Sequence, residues 1–580
     1  MTIEKEKLYF GVISGAQEVM ANKTYLNKIN VFPVADGDTG SNLFSTMQSI
    51  VTNSEIKSTI KHTLESIADS ALTGARGNSG LIFAQYFCGL SEAVGDDDLT
   101  AKDFVLASSN GFRYAYDAVD KPVEGTILTT MQVFHESLED YMKRSNNFIS
   151  ALEAAYEMVV KAVERTTKQL RVLKKASVVD SGAKGFAYFI KGFILGLKGK
   201  KQIFIPVEKI PEIKYVHEEN FNYRYCTETL IGDCKKIKKE ELKCFGDSLI
   251  VSGNGKKMRI HIHTDEPVNF FEYLSVKGII LEQKVDDMFL QYERVHKRKY
   301  SRVIVTDSIA DIPKGYLDDE QVHMIPLTLL IGRVSYFDKL TISNEHVFKL
   351  AKQKNVHPYS SQPTIKMVEN AYDYLLNYYD EIIVLTVAKA LSGTYQVFEK
   401  IAKKYDQVHV IDTKQNSVAQ GLLLYETMMD LKSNTSTKDM LSKLDNRIKR
   451  SKILVQIKSL DPMIASGRLS TKLGGLLKFL GIKPIITLNE TGEGAVYKLA
   501  FNNKQSYNEI LKHIRTIHIN KNITCYAISY IDDIELAQKF SGSIELLVGF
   551  KPVYITKSSS IIAVGAGSGA VGIGYITERK

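Results

Sequence analysis

Asp36 and Asp38 stand two apart in the segment Asn30-Val31-Phe32-Pro33-Val34-Ala35-Asp36-Gly37-Asp38-Thr39-Gly40-Ser41-Asn42. Two carboxylates spaced by glycine let a tight loop present both to one hard cation, and Mg²⁺ favours one or two carboxylates together with phosphate oxygens. An apolar-periodic stretch begins at Leu43, with Ser41 and Asn42 as cap candidates, so a helix N-terminus is expected to face the same phosphates. The alternative reading is an Asx turn that caps a helix, because Asp-Gly is common in turns. Three more glycine-bearing segments open apolar helices: Gly74-Ala75-Arg76-Gly77-Asn78-Ser79-Gly80, Pro122-Val123-Glu124-Gly125-Thr126, and Val178-Val179-Asp180-Ser181-Gly182-Ala183-Lys184-Gly185. Several such turns at helix starts suggest a phosphate site built from helix ends.

A different chemistry is expected further on. In Lys257–Thr264, Arg259, His261 and His263 share one face of a strand, and Met258, Ile260 and Ile262 share the other. His-x-His on one face suits Zn²⁺, and Cys226 is a soft third donor. The alternative is a pair of half-exposed histidines with ordinary hydrogen bonds. Cys234 and Cys244 read as buried small hydrophobes. Near the C-terminus, Ser360-Ser361-Gln362-Pro363 offers adjacent hydroxyls. Leu391-Ser392-Gly393-Thr394-Tyr395-Gln396 opens a helix after a strand, and Ser466-Gly467-Arg468-Leu469-Ser470 adds a guanidinium suited to carboxylate or phosphate. Each of these, alone, also reads as an ST-turn, a helix cap or a surface arginine.

The elements that must position these residues fall into three stretches. Residues 7 to about 200 read as helices, Asn147–Gln169 among them. Residues 207 to about 292 hold short strands, including Asp247–Gly253 and Lys257–Thr264, joined by the hairpin signal Asn254-Gly255. Tyr292–Tyr300 reads as a charged linker. From Arg302 strands and helices alternate, with strands at Arg302–Thr306, Glu381–Val387 and Val408–Asp412, which indicates an α/β domain. The length of 580 residues suits about three or four domains. With 44% hydrophobic and 24% charged residues the composition is that of a globular chain, excluding disordered, collagen and coiled-coil classes. The formal charge of +9 is small against 75 basic and 66 acidic side chains. The basic clusters Lys235–Lys239 and His296–Lys299 lack interleaved aromatics and read as solvated surface, so no nucleic-acid partner is expected. Phe186–Leu197 is too short, and too interrupted by Lys191, to span a bilayer. No secretory signal is visible in Met1–Phe10, and five irregularly spaced cysteines argue for a reducing cytoplasm.

The helix-start motifs resemble the DhaL or DAK2 ATP-binding domain of dihydroxyacetone kinases. More closely, they are similar to the N-terminal domain of bacterial fatty-acid kinases, which carry the loop Asn-Val-Phe-Pro-Val-x-Asp-Gly-Asp-Thr-Gly-x-Asn. The resemblance covers about residues 1–200 and implies an antiparallel eight-helix barrel with Mg-ATP at one rim. It implies Asp36 and Asp38 as catalytic Mg²⁺ ligands with Asn30 as a third. It also implies Thr39, Ser41, Asn42, Gly77, Asn78, Ser79, Thr126 and Asp180 as nucleotide contacts. Dihydroxyacetone kinases place a further aspartate upstream of the pair, where this chain has Asn30 and Val31. Residues 207–292 resemble the fatty-acid kinase middle domain, an α+β element in which residues matching Cys226, His261 and His263 hold zinc in a structural role.

Residues 301–580 resemble the DegV family of fatty-acid-binding proteins, through Thr306-Asp307-Ser308, Ser-Gln-Pro, Ser-Gly-Thr-Tyr-Gln and Gly-Arg-Leu-Ser in the family's order. The resemblance implies two α/β lobes around an acyl tunnel, with Ser360, Ser361, Ser392 and Gly393 at the head group and Arg468 near the phosphoryl-transfer path. The family often carries Gly-Thr-His-x-Gly-Pro-Gly near the C-terminus, whereas this chain reads Ala563-Val564-Gly565-Ala566-Gly567-Ser568-Gly569. Together the resemblances imply a fused, cytoplasmic fatty-acid kinase that uses ATP, Mg²⁺ and Zn²⁺ to make an acyl phosphate. A homodimer is expected, with a separate fatty-acid-binding protein or an acyl-phosphate acceptor enzyme as partner. The alternatives are a dihydroxyacetone (glycerone) kinase-like phosphotransferase and a non-catalytic lipid carrier or regulator.

Overall fold

A computed structural model describes residues 2–32, 37–96, 99–145, 147–199, 222–234, 237–253, 256–465, 475 and 477–578. They form two compact units, Met1–Phe289 and Leu290–Lys580.

In the first unit, eight long helices follow one another: Lys5–Ala21, Thr39–Asn53, Ile60–Gly74, Gly77–Glu92, Ala101–Ala118, Ile127–Arg144, Phe148–Gln169 and Ser181–Leu197. Each packs against the next and the last returns to the first, closing a barrel. Glycines allow that closure. A Cβ at Gly192 would lie 2.5 Å from the Ser14 carbonyl oxygen, and one at Gly196 would lie 2.8 Å from Gly11 Cα. The barrel is filled with aromatic rings; Phe83 meets Phe186 at 5.7 Å and Phe189 at 5.6 Å between centroids. The local starts follow from cap residues. Asn147 accepts from the Ser150 amide at 3.1 Å, and Asp180 accepts from the Ala183 amide at 2.7 Å.

The helix expected from Leu43 begins earlier, at Thr39, with Asp38 as its N-cap residue. Ser41 and Asn42 therefore sit inside the first turn rather than capping it. Ser41 is held by Asn27, whose Oδ1 accepts the Ser41 amide at 2.8 Å and whose Nδ2 donates to the Ser41 hydroxyl at 3.0 Å.

A four-stranded antiparallel sheet completes this unit, in the order Asp247–Gly253, Lys257–Thr264, Tyr225–Gly232, Ile279–Asp287. One face packs on the helices Ile60–Gly74 and Gly77–Glu92. Gln85 Oε1 accepts from the Ser252 hydroxyl at 2.7 Å and the Gly253 amide at 3.0 Å. Arg259, only 1% exposed, donates to the carbonyls of Leu72 at 2.9 Å and Thr73 at 2.6 Å and to Glu282 at 2.8 Å. Covering this face buries His261, so that histidine is not half-exposed as the alternative reading had it, whereas His263 is half-buried. The turn Asn254-Gly255 lies outside the described residues. Two other expectations fail. Cys234 is half-buried, and Cys244 is exposed and donates to the Glu241 carbonyl. The supposed linker begins in a helix, Met288–His296, which buries Met288, Leu290 and Arg294 and leaves Glu293 and His296 half-buried.

The second unit has two larger sheets and a small antiparallel one of three strands, in the order Val334–Phe337, Thr328–Ile331 and Tyr359–Ser361. The first orders Val408–Asp412, Glu381–Thr386, Arg302–Asp307 and His323–Ile325, all parallel. The second has six strands, in the order Gly494–Ala500, Lys483–Leu488, Ser451–Gln456, Val571–Thr577, Ile523–Tyr530 and Ile555–Lys557. The helix Ser417–Lys432 packs between the two sheets and is buried along most of its length. No helix among the described residues is long and apolar enough to cross a membrane.

Candidate functional site

Four helix starts meet at one rim of the barrel. A Cβ at Gly77, whose φ is +58°, would lie 2.3 Å from Asn42 Nδ2. That joins the start of Gly77–Glu92 to the first turn of Thr39–Asn53. A Cβ at Gly182 would lie 3.0 Å from Ser79 Oγ and 3.3 Å from both Asp180 Oδ1 and Ile127 Cβ. That joins the remaining two starts to the second. The positive ends of four helices are therefore directed to one place, an arrangement suited to phosphate.

Most of the residues expected here are present. Asn30 is buried and its Oδ1 accepts from the Thr39 hydroxyl at 2.8 Å. Asn78 Oδ1 is buried without a hydrogen-bond partner among the described residues. Thr126 precedes Ile127–Arg144, and its hydroxyl donates back to the Val123 carbonyl at 2.7 Å. Asp180 is buried and receives the Ala183, Gly182 and Ile127 amides; burial nevertheless pushes its carboxyl up to about 6. Asp36 lies outside the described residues, and Asp38 is within them. Asn27, which brackets Ser41, was not foreseen. Its only sequence signal is its place upstream of the acidic loop.

The sheet brings a second group to this rim. Cys226 pairs with His263 across two strands, and the ligand atoms of Cys226, His261 and His263 all lie within 4.8 Å of one another. His261 Nδ1 lies 3.9 Å from Cys226 Sγ, and its Nε2 is buried without a hydrogen-bond partner among the described residues. One thiol and two imidazoles form a donor set that fits Zn²⁺. Burial, with Glu228 beside it, pushes the Cys226 thiol well up. Burial and the His261 charge hold His263 down at about 3, so a neutral imidazole is available as ligand. Asp38 acts electrostatically on both Cys226 and Lys284, which sets Asp38 near this group.

The sequence reading passed over Glu228, two residues beyond Cys226 on the same strand face. Its Oε1 accepts the Gly77 amide at 2.6 Å and faces His261 Nδ1 at 3.2 Å. Burial pushes its carboxyl up, but His261, Lys284 and the Gly77 amide overcome that and hold it down at about 2.

In the second unit Ser360, Ser361, Gln362, Ser392, Gly393 and Asn416 line one cavity of about 410 Å³, whose apolar wall includes Leu327, Val387, Leu391, Ile561 and Ile562. That size lies within the range of small-molecule sites. The Ser392 hydroxyl pairs with that of Thr394 at 2.8 Å and accepts the Thr394 amide at 3.2 Å, so it holds the first amide of the helix Thr394–Ala402, whose N-cap residue is Gly393, while lining the cavity. Asn416 Oδ1 is buried without a partner among the described residues and was not foreseen. Its signal is a cap-type residue directly before the helix at Ser417. The segment read as a glycine-rich loop is partly helical: Ala563–Ala566 form the end of the helix Ser560–Ala566, with Gly565 buried. Arg468 and the rest of Ser466–Ser470 lie outside the described residues.

Comparison with known proteins matches three stretches of the chain. Residues 33–195 match the DAK2 domain, residues 222–295 match the FakA-like middle domain of fatty acid kinases, and residues 301–578 match the DegV family. Uncharacterized proteins of Staphylococcus aureus strains USA300 and bovine RF122 are each 29% identical over 448 residues, spanning 71% of this chain and 80% of theirs. Among solved structures, a DegV family protein from Thermus thermophilus described as fatty acid binding is 24% identical, over 48% of this chain and 99% of its own, with a TM-score of 0.44. A stearic acid-binding protein from Eubacterium ventriosum is also 24% identical, over 48% of this chain and 98% of its own, with a TM-score of 0.44. Reading from N- to C-terminus, the chain joins a DAK2 domain, a FakA-like fatty acid kinase middle domain and a DegV domain, which is the architecture of a fused fatty-acid kinase.

Proposed function

We propose that the chain transfers the γ-phosphoryl group of ATP to a fatty-acid carboxylate, giving an acyl phosphate. The observation that carries this reading is the convergence of four helix starts beside Asp38, in a chain whose other unit encloses a cavity with hydroxyls on one wall and aliphatic side chains on another. Phosphoryl transfer needs positioning and charge neutralisation more than covalent chemistry from the protein. The amides around Gly77 and Ser181 and the side chains of Asn42, Asn78 and Ser79 would orient the phosphates. Asp38, with Asp36, would hold Mg²⁺, which when bound neutralises phosphate charge. Cys226, His261 and His263 would hold Zn²⁺, which when bound fixes that corner of the sheet. At the other substrate, Ser360, Ser361, Ser392 and Asn416 would satisfy a carboxylate that is costly to bury without partners.

The test uses the whole chain with ATP, Mg²⁺ and a long-chain fatty acid, and traps acyl phosphate with hydroxylamine. Acyl hydroxamate should appear, require both ATP and Mg²⁺, and fall at least tenfold in Asp38→Asn. Absence of product from a chain that binds both ligands would overturn the reading. It would also favour the lipid-carrier alternative, for which the specific observation is Gly565 in place of the family's histidine.

A further inference from the structure

Glu228 touches two groups that come from different parts of the sequence. Its Oε1 accepts the Gly77 amide at 2.6 Å, across 151 residues of chain, and faces His261 Nδ1 at 3.2 Å. The side chain is 1% exposed. A metal-ligating histidine characteristically donates its second ring N–H to a carboxylate, which fixes both tautomer and ring orientation. Here the carboxylate stands at Nδ1, which also lies 3.9 Å from Cys226 Sγ, and Nε2 is the nitrogen without a partner among the described residues.

The Gly77 end of the contact is equally constrained. Gly77 has φ +58°, and Asn42 Nδ2 occupies the space a side chain would need. The peptide is thus held between Asn42 on one side and Glu228 on the other. Immediately before it, Arg76 bonds to Glu282 at 3.0 Å, and Glu282 also receives Arg259, which grips the carbonyls of Leu72 and Thr73. Residues 72–77 are therefore fastened to the sheet at several points. Immediately after Gly77 comes Asn78, with its unsatisfied Oδ1. A change in the set of His261 has a short route to the phosphate rim through Glu228.

We propose that Glu228 is a positioning residue that couples occupancy of the Cys226–His261–His263 centre by Zn²⁺ to nucleotide affinity at the Gly77 rim. This rests on the reading of that rim as the nucleotide site and of that centre as a zinc site. A bound metal fixes His261, His261 fixes the Glu228 carboxylate, and the carboxylate fixes the Gly77 amide against Asn42. Because binding free energies are linked reciprocally, nucleotide must tighten zinc by the factor by which zinc tightens nucleotide.

The experiment measures Mg-ADP affinity of the whole chain by calorimetry, with zinc and after its removal. It is repeated in Glu228→Ala and Glu228→Gln. In a second measurement zinc affinity of the wild type is read against a competing chelator, with and without Mg-ADP. In the wild type, zinc removal should weaken Mg-ADP about tenfold, and Mg-ADP should tighten zinc by the same factor. In Glu228→Ala the nucleotide affinity should no longer depend on zinc. Glu228→Gln keeps an oxygen for both N–H donors and should retain much of the dependence, which a purely structural role for the side chain would not predict. The wild-type zinc measurement stands even if Glu228→Ala does not fold. Zinc and Mg-ADP that bind the wild type independently would overturn the coupling alone, as would a Glu228→Ala chain with undiminished zinc dependence. A wild type that binds zinc but no nucleotide would overturn the nucleotide reading and the coupling together.

Discussion

Asp180 and Glu228 are buried carboxylates that accept backbone amides at helix starts of the same rim, one from the barrel and one from the sheet. Asp180 is surrounded by amides, and burial pushes it up to about 6 in spite of them. Burial pushes Glu228 the same way, yet it is held at about 2, because His261 and Lys284 add charge to the Gly77 amide. The difference separates two functions of a polar environment. Oriented amides satisfy lone pairs without neutralising the ion, whereas a nearby cationic side chain opposes the cost of desolvation directly. On this view Asp180 serves as a fold anchor and Glu228 as a fixed charge within the site.

The comparison can be broken most severely by deleting the anchor. Asp180→Ala leaves the Ala183 and Gly182 amides without their acceptor, and should lower unfolding free energy by about 2 kcal/mol in urea denaturation. Asp180→Asn keeps an acceptor oxygen and should recover most of that loss. Equal losses in the two variants would show that satisfying amides is not what Asp180 does. A smaller effect is expected when Glu228 is made to resemble Asp180. His261→Ala should raise the pH at which Glu228 protonates in zinc-free protein, followed by the infrared carboxyl band that disappears in Glu228→Gln. An unmoved midpoint would assign the charge compensation to Lys284 alone.

The smallest effect concerns pH. The folded Asp180 has its carboxyl raised above the unfolded value of 3.8, to about 6. Its contribution is therefore greatest below pH 3.8 and is lost as pH rises through about 6. Glu228 has the opposite sign; its contribution is present above the unfolded 4.5 and is lost as pH falls towards about 2. The melting temperature of Asp180→Asn relative to wild type should accordingly rise by a few degrees between about pH 4 and about pH 7. A constant difference would refute the raised carboxyl.

Local rules were legible in the sequence and long-range pairings were not. The strands Asp247–Gly253 and Lys257–Thr264 stand at the expected bounds because their apolar runs are flanked by turn residues. Asn147 caps Phe148–Gln169 because its side chain reaches the first turn. The start at Thr39 differs from the expected one because the cap was sought at Ser41 and Asn42, beside the apolar stretch, whereas Asp38 holds the cap position. Met288–His296 was misread because a nine-residue helix that buries few side chains carries too short an apolar pattern to outweigh its charges. The thiol and two imidazoles were found because strand periodicity places His261 and His263 on one face. Glu228 follows from the same periodicity, two residues after Cys226, but its partner at Gly77 depends on how the sheet docks, which no local rule supplies.

Arg259 carries a consequence for heredity. Its guanidinium is spent on carbonyls of the helix Ile60–Gly74, at the barrel side of a border where two sequence families meet. A barrel without the sheet would leave those carbonyls bare, and a sheet without the barrel would leave the guanidinium without two of its acceptors. A cut at this border should therefore weaken both parts, so that two modules by sequence are heritable as one unit of the fold.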